Sequence, residues 1–96
     1  YVYKERIDRI AKFAEYVHGI PHDDDKEKMA LAGIEAMEDF YRSIDMPTSI
    51  KELGVEVTDA QIEELAEKCT FFGARTVGCV KKLEKKDLIA IYTMAR

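Results

Sequence analysis

The sequence predicts an all-α fold, a small bundle of about four main helices plus one short helical turn. Three observations predict it. Apolar residues recur at spacings of three and four, which is the helical period and not the alternation of a strand. Glycines and prolines punctuate the chain where those periodic stretches stop, at Gly19, Pro21, Pro47, Gly54 and Gly73. Capping residues such as Thr58 stand where the next stretch starts.

Ile7, Ile10, Ala14 and Val17 form the stripe of helix one, which is expected from Tyr3 to a stop at Gly19, with Pro21 unable to continue it. Phe13 and Tyr16 flank that stripe, so its apolar sector is wider than the roughly 100° of an ordinary surface helix. Asp23, Asp24 and Asp25 can accept hydrogen bonds from the free N–H groups of a second helix and favour its positive end. The expected buried face of helix two is Ala30, Gly33, Ile34, Met37, Phe40, Tyr41 and Ile44. A glycine on that face costs up to about 1 kcal/mol of helix propensity, and its use is to let a neighbouring helix approach. Pro47 ends helix two, and Ser49-x-x-Glu52 followed by Gly54 predicts a short helical turn. Thr58 and Gln61 form a capping box that starts helix three near Asp59, with Val57 and Ile62 placed as a staple. Its core stripe reads Ile62, Leu65, Ala66, Cys69 and Phe72. Residues 73–82 read as a loop with a short helical or extended piece near Val77 and Val80. Leu88, Ile91, Tyr92 and Ala95 give a last helix to the end.

Composition excludes several function classes. Ninety-six residues make one domain, residues 1–96, and 47% hydrophobic with 35% charged residues is a globular balance. No run of about 20 uncharged residues spans a membrane. Fifteen basic against nineteen acidic residues give −4, a sign that repels nucleic acid. Two cysteines, Cys69 and Cys79, without a CxxC pair or a leader, fit a reducing cytoplasm. The chain starts at Tyr1, with apolar residues from the outset, so a C-terminal fragment of a longer protein is expected.

No motif of chemistry survives inspection, and no catalytic, cofactor-binding or metal-ligating residue is assigned. His18 and His22 have the i, i+4 spacing of helical metal ligands, but Gly19 and Pro21 break the helix between them. A calcium loop from Asp23 would need glycine sixth and glutamate twelfth, and finds Lys28 and Ile34. The glycines at 73 and 78 fit a phosphate-binding loop whose Lys and Ser/Thr are replaced by Cys79 and Val80. Lys81, Lys82, Lys85 and Lys86 are diluted by Glu84 and Asp87 and carry no interleaved aromatic for base stacking. Cys69 lies on an apolar stripe as a small hydrophobe. Glu35, Glu38, Glu63, Glu64 and Glu67 belong to solvated helix faces.

The order of the pieces resembles the C-terminal end of the iron-containing alcohol dehydrogenase family, in its butanol-dehydrogenase-like branch. Phe13-Ala14-Glu15-Tyr16-Val17-His18-Gly19-Ile20 resembles the family's helix end, and Ala32-Gly33-Ile34-Glu35-Ala36-Met37 with Phe40 resembles the helix after it. Ile44-Asp45-Met46-Pro47-Thr48-Ser49-Ile50-Lys51-Glu52-Leu53-Gly54-Val55 is similar to the family's Leu-Gly-Leu-Pro then Leu-x-Glu-Leu-Gly-Ile. Ile62, Ala66, Thr76-Val77-Gly78, Leu83 and Asp87-Leu88 continue the match, and His18 departs from it where many relatives have tryptophan. The resemblance implies a two-domain oxidoreductase that interconverts alcohols and aldehydes with NAD(P). It implies an iron or zinc held by one aspartate and three histidines upstream of Tyr1. The chain would then be a scaffold that is inactive alone, its partner the rest of the enzyme, with self-association through the Phe13 and Tyr16 face of helix one. The rival expectation is a stand-alone helical protein-interaction module.

Overall fold

A computed structural model describes residues 1–96, which form four α-helices, two 3-10 turns and no strand. The helices are α1 (Ile7–His18), α2 (Lys26–Ser43), α3 (Asp59–Cys69) and α4 (Lys85–Ala95), with the 3-10 turns at Tyr3–Arg6 and Lys51–Leu53. Their order is the one the periodicity predicts. No helix is long and apolar enough to cross a membrane. The chain divides into two compact units, Tyr1–Met46 with α1 and α2, and Pro47–Arg96 with α3 and α4.

In the first unit the caps fall where the sequence puts them. Gly19 takes the left-handed conformation after α1, and the Ile20 N–H reaches back to the Ala14 carbonyl at 3.1 Å. Asp25 caps α2 by accepting from the Lys28 N–H at 3.1 Å. The contacts set the sense of the pair. Asp8 near the start of α1 bonds Lys26 at the start of α2, while Ala14 meets Gly33 about two turns further along both helices. The two helices therefore run in the same general direction, and linker 19–25 must return along α1. Ten residues of helix are about 15 Å, which seven extended residues, reaching about 23 Å, can span.

The crossing is tight because it is made of small residues. Ala11, Ala14, Ala30 and Gly33 are all buried there, with Met29 beside them. A Cβ built on Gly33 would stand 2.6 Å from the Ala14 Cβ and 3.0 Å from its Cα. Outside the crossing two expectations fail. Val17, expected on the core stripe of α1, is 65% exposed, because the helix turns Ala11 and Ala14 inward and leaves Val17 beyond the contact. Phe40, Tyr41 and Ile44, expected on the buried face of α2, are exposed. They continue the stripe of Ala30 and Gly33, but α1 ends short of them.

In the second unit Ile62 and Ala66 of α3 and Leu88 of α4 are buried. Thr58 caps α3 as the sequence predicts, with its hydroxyl accepting from the Gln61 N–H and the Gln61 side chain accepting from the Thr58 N–H at 2.9 Å. Leu65 and Phe72, expected in the core, are exposed, Phe72 by 76%. The reason for Phe72 is local. Phe71 and Phe72 both have left-handed backbone, φ 49° and 56°, so the stripe of α3 ends before them. Buried Thr70 holds that turn by donating to the Ala66 carbonyl and accepting from the Gly73 N–H. Arg75 closes it, stacked 3.6 Å from the Phe71 ring centre and donating to the Cys69 carbonyl.

The loop that follows pairs Val77 with Leu83 through two backbone hydrogen bonds, so of the two alternatives the sequence leaves open near Val77 and Val80, helical or extended, the extended one forms at Val77. Asp87, buried in the first turn of α4, accepts from the Glu84 N–H at 2.9 Å and completes a second capping box. The turn at Lys51–Leu53 is capped by Ser49, which accepts from the Glu52 N–H, and the Ile50 N–H is bonded to the Ala95 carbonyl.

Two measurements check these contacts. Gly33→Ala gains up to about 1 kcal/mol of helix propensity and loses about 1–3 kcal/mol to overpacking, so a net loss is expected in urea melts, recovered in part by adding Ala14→Gly. A stabilised Gly33→Ala would contradict the close crossing. Thr58→Ala is expected to lower stability by about 0.5–2 kcal/mol.

Candidate functional site

A gathering of titratable side chains lies in the first unit, where linker 19–25 runs back along α1. There Asp8, Lys12 and Glu15 of α1, His22, Asp23 and Asp24 of the linker and Lys26 of α2 line a hollow of about 560 Å³. Ala11 and Met29 form its apolar floor, and Tyr16, 77% exposed, stands at its edge. Apart from the imidazole, the six charged groups sum to −2.

His22 faces a carboxylate at each ring nitrogen. Its Nδ1 lies 3.4 Å from Glu15 Oε2 and its Nε2 3.5 Å from Asp24 Oδ1. The hydrogen bond to Glu15, then the Glu15 charge, and behind them Asp24, raise its pKa above that of an ordinary histidine. The neighbouring carboxylates are held ionised by their own partners. Asp8 is lowered chiefly by its hydrogen bond to Lys26, and Asp23 chiefly by the Asp25 N–H and then by Lys28. On the linker the Asp23 N–H rests on the Met29 sulfur at 3.3 Å, and the Asp25 N–H donates to Asp23 Oδ1 at 2.8 Å.

The two histidines that share the i, i+4 spacing have separate surroundings. His18 packs edge-on against Phe13, ring centres 4.9 Å apart, and its Nε2 is buried without a hydrogen-bond partner. No group of three or more His, Cys, Asp or Glu side chains is arranged to hold a metal ion, so these residues do not fit a resident iron or zinc. The i, i+4 spacing pairs His22 only with His18, a pairing that the break at Gly19 and Pro21 already argues against. The partner the fold supplies is Glu15, seven residues back across the break at Gly19. The returning linker creates that pair, and no local pattern marks it.

The other candidates are structural. Lys85 bridges Glu67 and Glu63 at 2.8 and 3.0 Å, tying α4 to α3, and its pKa rises through those two bonds. Lys81 lies 3.8 Å from buried Asp87, and Lys86 3.9 Å from Glu84. Glu38 pairs with Arg42, and Glu64 with Lys68, whose hydrogen bond lowers the Glu64 pKa. Cys69 is half-buried beside Tyr92, whose phenol is pushed up first by burial and then by the thiol. Cys79 is exposed on the loop.

No protein-family model, curated protein or solved structure matches the chain. The arrangement of the site therefore stands on its own geometry.

The orphaned ring nitrogen of His18 gives a test of the α1 end. A buried polar atom without a partner costs about 1–3 kcal/mol, and phenylalanine keeps the ring while removing it. His18→Phe is expected to raise the urea midpoint by the equivalent of about 1 kcal/mol. A lowered midpoint would mean that the nitrogen has a partner in solution.

Proposed function

We propose that the chain is a helical packing element of a larger protein, and that this protein is an iron-containing, NAD(P)-dependent alcohol dehydrogenase. The observation that supports the first half is the face of α2 beyond the end of α1. Phe40, Tyr41 and Ile44 continue the stripe that packs on α1, and all three stand open to solvent. Aromatic and aliphatic groups in one helical row lose about 25 cal/mol for each Å² left in water, so a face of this kind is built to be covered. On this reading the rest of the enzyme covers it.

The second half is supported by the ordered resemblance, whose pieces are turns and caps. Gly19 and Gly54 are left-handed stops, and Ser49 caps the short turn that ends at Gly54. On this reading a metal and a nicotinamide held elsewhere in the parent protein would supply Lewis acidity and hydride, and no residue of this chain is assigned to hold either. The residues of this chain orient no substrate and move no proton in the reaction; they shape and stiffen the helical wall around it.

Two measurements test the proposal. The coding frame upstream of Tyr1 is expected to continue with an Asp-x-x-x-His pair and two further histidines, and a start codon directly before Tyr1 would overturn the enzyme reading in favour of a stand-alone interaction module. The 96-residue chain incubated with butanol, NAD(P) and ferrous ion is expected to turn over no faster than a protein-free blank. Turnover above that blank would place catalytic groups in this segment.

A further inference from the structure

The geometry of His22 carries an inference that is independent of the parent enzyme. A neutral imidazole has one N–H and one lone pair, whereas the imidazolium has two N–H groups. Both ring nitrogens here face carboxylate oxygens, Glu15 on α1 and Asp24 on the linker. Only the cation can donate to both. A neutral ring in the same place would turn a lone pair onto one carboxylate, an arrangement that costs more than exposing both groups to water.

We propose that His22 is a proton-operated clasp: the imidazolium fastens linker 19–25 onto α1 through Glu15, and the neutral ring lets the linker open. What the clasp holds down is defined. The linker lays the Asp23 N–H on the sulfur of Met29, a buried residue of the α1–α2 core, and it ends in Asp25, the cap of α2. Of the charged groups lining the hollow around His22, the four carboxylates favour the cation and the two lysines oppose it. From α1 these are Asp8, Lys12 and Glu15, from the linker Asp23 and Asp24, and from α2 Lys26. Their sum of −2 favours the cation, and Glu15, which accepts the hydrogen bond from the imidazolium, contributes most.

The direction of the pH effect follows. Because the pKa of His22 is raised in the folded chain, the clasp is fully closed below about pH 6.5, the value of an unperturbed histidine, and is lost as pH rises through the folded value. The imidazole is largely exposed, so water screens the pair, and the opening equilibrium is expected to change by about 2- to 5-fold.

Solvent-exchange NMR on the full chain tests this at the Asp23 and Asp25 amides, with protection taken relative to the unstructured rate at each pH. Between pH 5.5 and 8.0 protection is expected to fall about 2- to 5-fold in the wild type. It should stay level in His22→Gln, and in Glu15→Gln the fall should begin at lower pH. The His22 ring signals should titrate above 6.5. Parallel pH profiles in the wild type and His22→Gln would overturn the clasp, because every other ionisable group remains in the variant. A ring that titrates at or below 6.5 would overturn it as well.

Discussion

The close approach of Ala14 to Gly33 is the constraint on which the first unit depends. Two helices whose side chains were larger at the crossing would stand apart by the usual 8–10 Å or more. With a glycine on one side and an alanine on the other, the backbones meet almost without intervening atoms. Once that point is fixed and the Asp8–Lys26 pair is made, α2 must run alongside α1 and not back against it. The linker then has to retrace α1, and the retracing brings His22 to Glu15. A steric fact about one glycine thus leads, through the direction of a helix, to the electrostatics of a histidine.

The second unit is organised by capping more than by volume. Its core holds few large side chains, Ile62 and Leu88 being the main buried ones. Around them Thr58 with Gln61 starts α3, Thr70 turns the chain out of it, and Asp87 starts α4. Each of these residues satisfies backbone groups that a helix end leaves unpaired. Phe71 and Phe72 show the force of that arrangement, since a left-handed conformation costs an L-residue roughly 1–2 kcal/mol and two successive aromatics adopt it. The hydrogen bonds of Thr70 and the stacked guanidinium of Arg75 offset the strain.

What the sequence discloses is local, and what it withholds depends on distance. Thr58, Asp25, Gly19 and Gly33 were legible because a cap, a stop or a close approach is written in one residue and its immediate neighbours. The exposure of Phe40, Tyr41 and Ile44 was not, since periodicity tells which residues share a face and says nothing of how far the covering helix reaches. At 12 residues against 18, α1 is about 9 Å shorter than α2. Phe72 was misread because an aromatic carries no signal for left-handed backbone, and the cause lies in the side chains of Thr70 and Arg75. The pairing of His22 with Glu15 crosses a helix break, where spacing rules lose their meaning.

The contact between α1 and α2 sets the architecture of the first unit, and one measurement addresses it directly. Nuclear Overhauser spectra of the full chain should show a strong cross-peak between the Ala14 methyl and the Gly33 α-protons, accompanied by weaker ones linking the starts of the two helices. That pattern fixes both the close approach and the shared direction. An Ala14 methyl with no contact to Gly33, or contacts that join the start of α1 to the end of α2, would contradict the account.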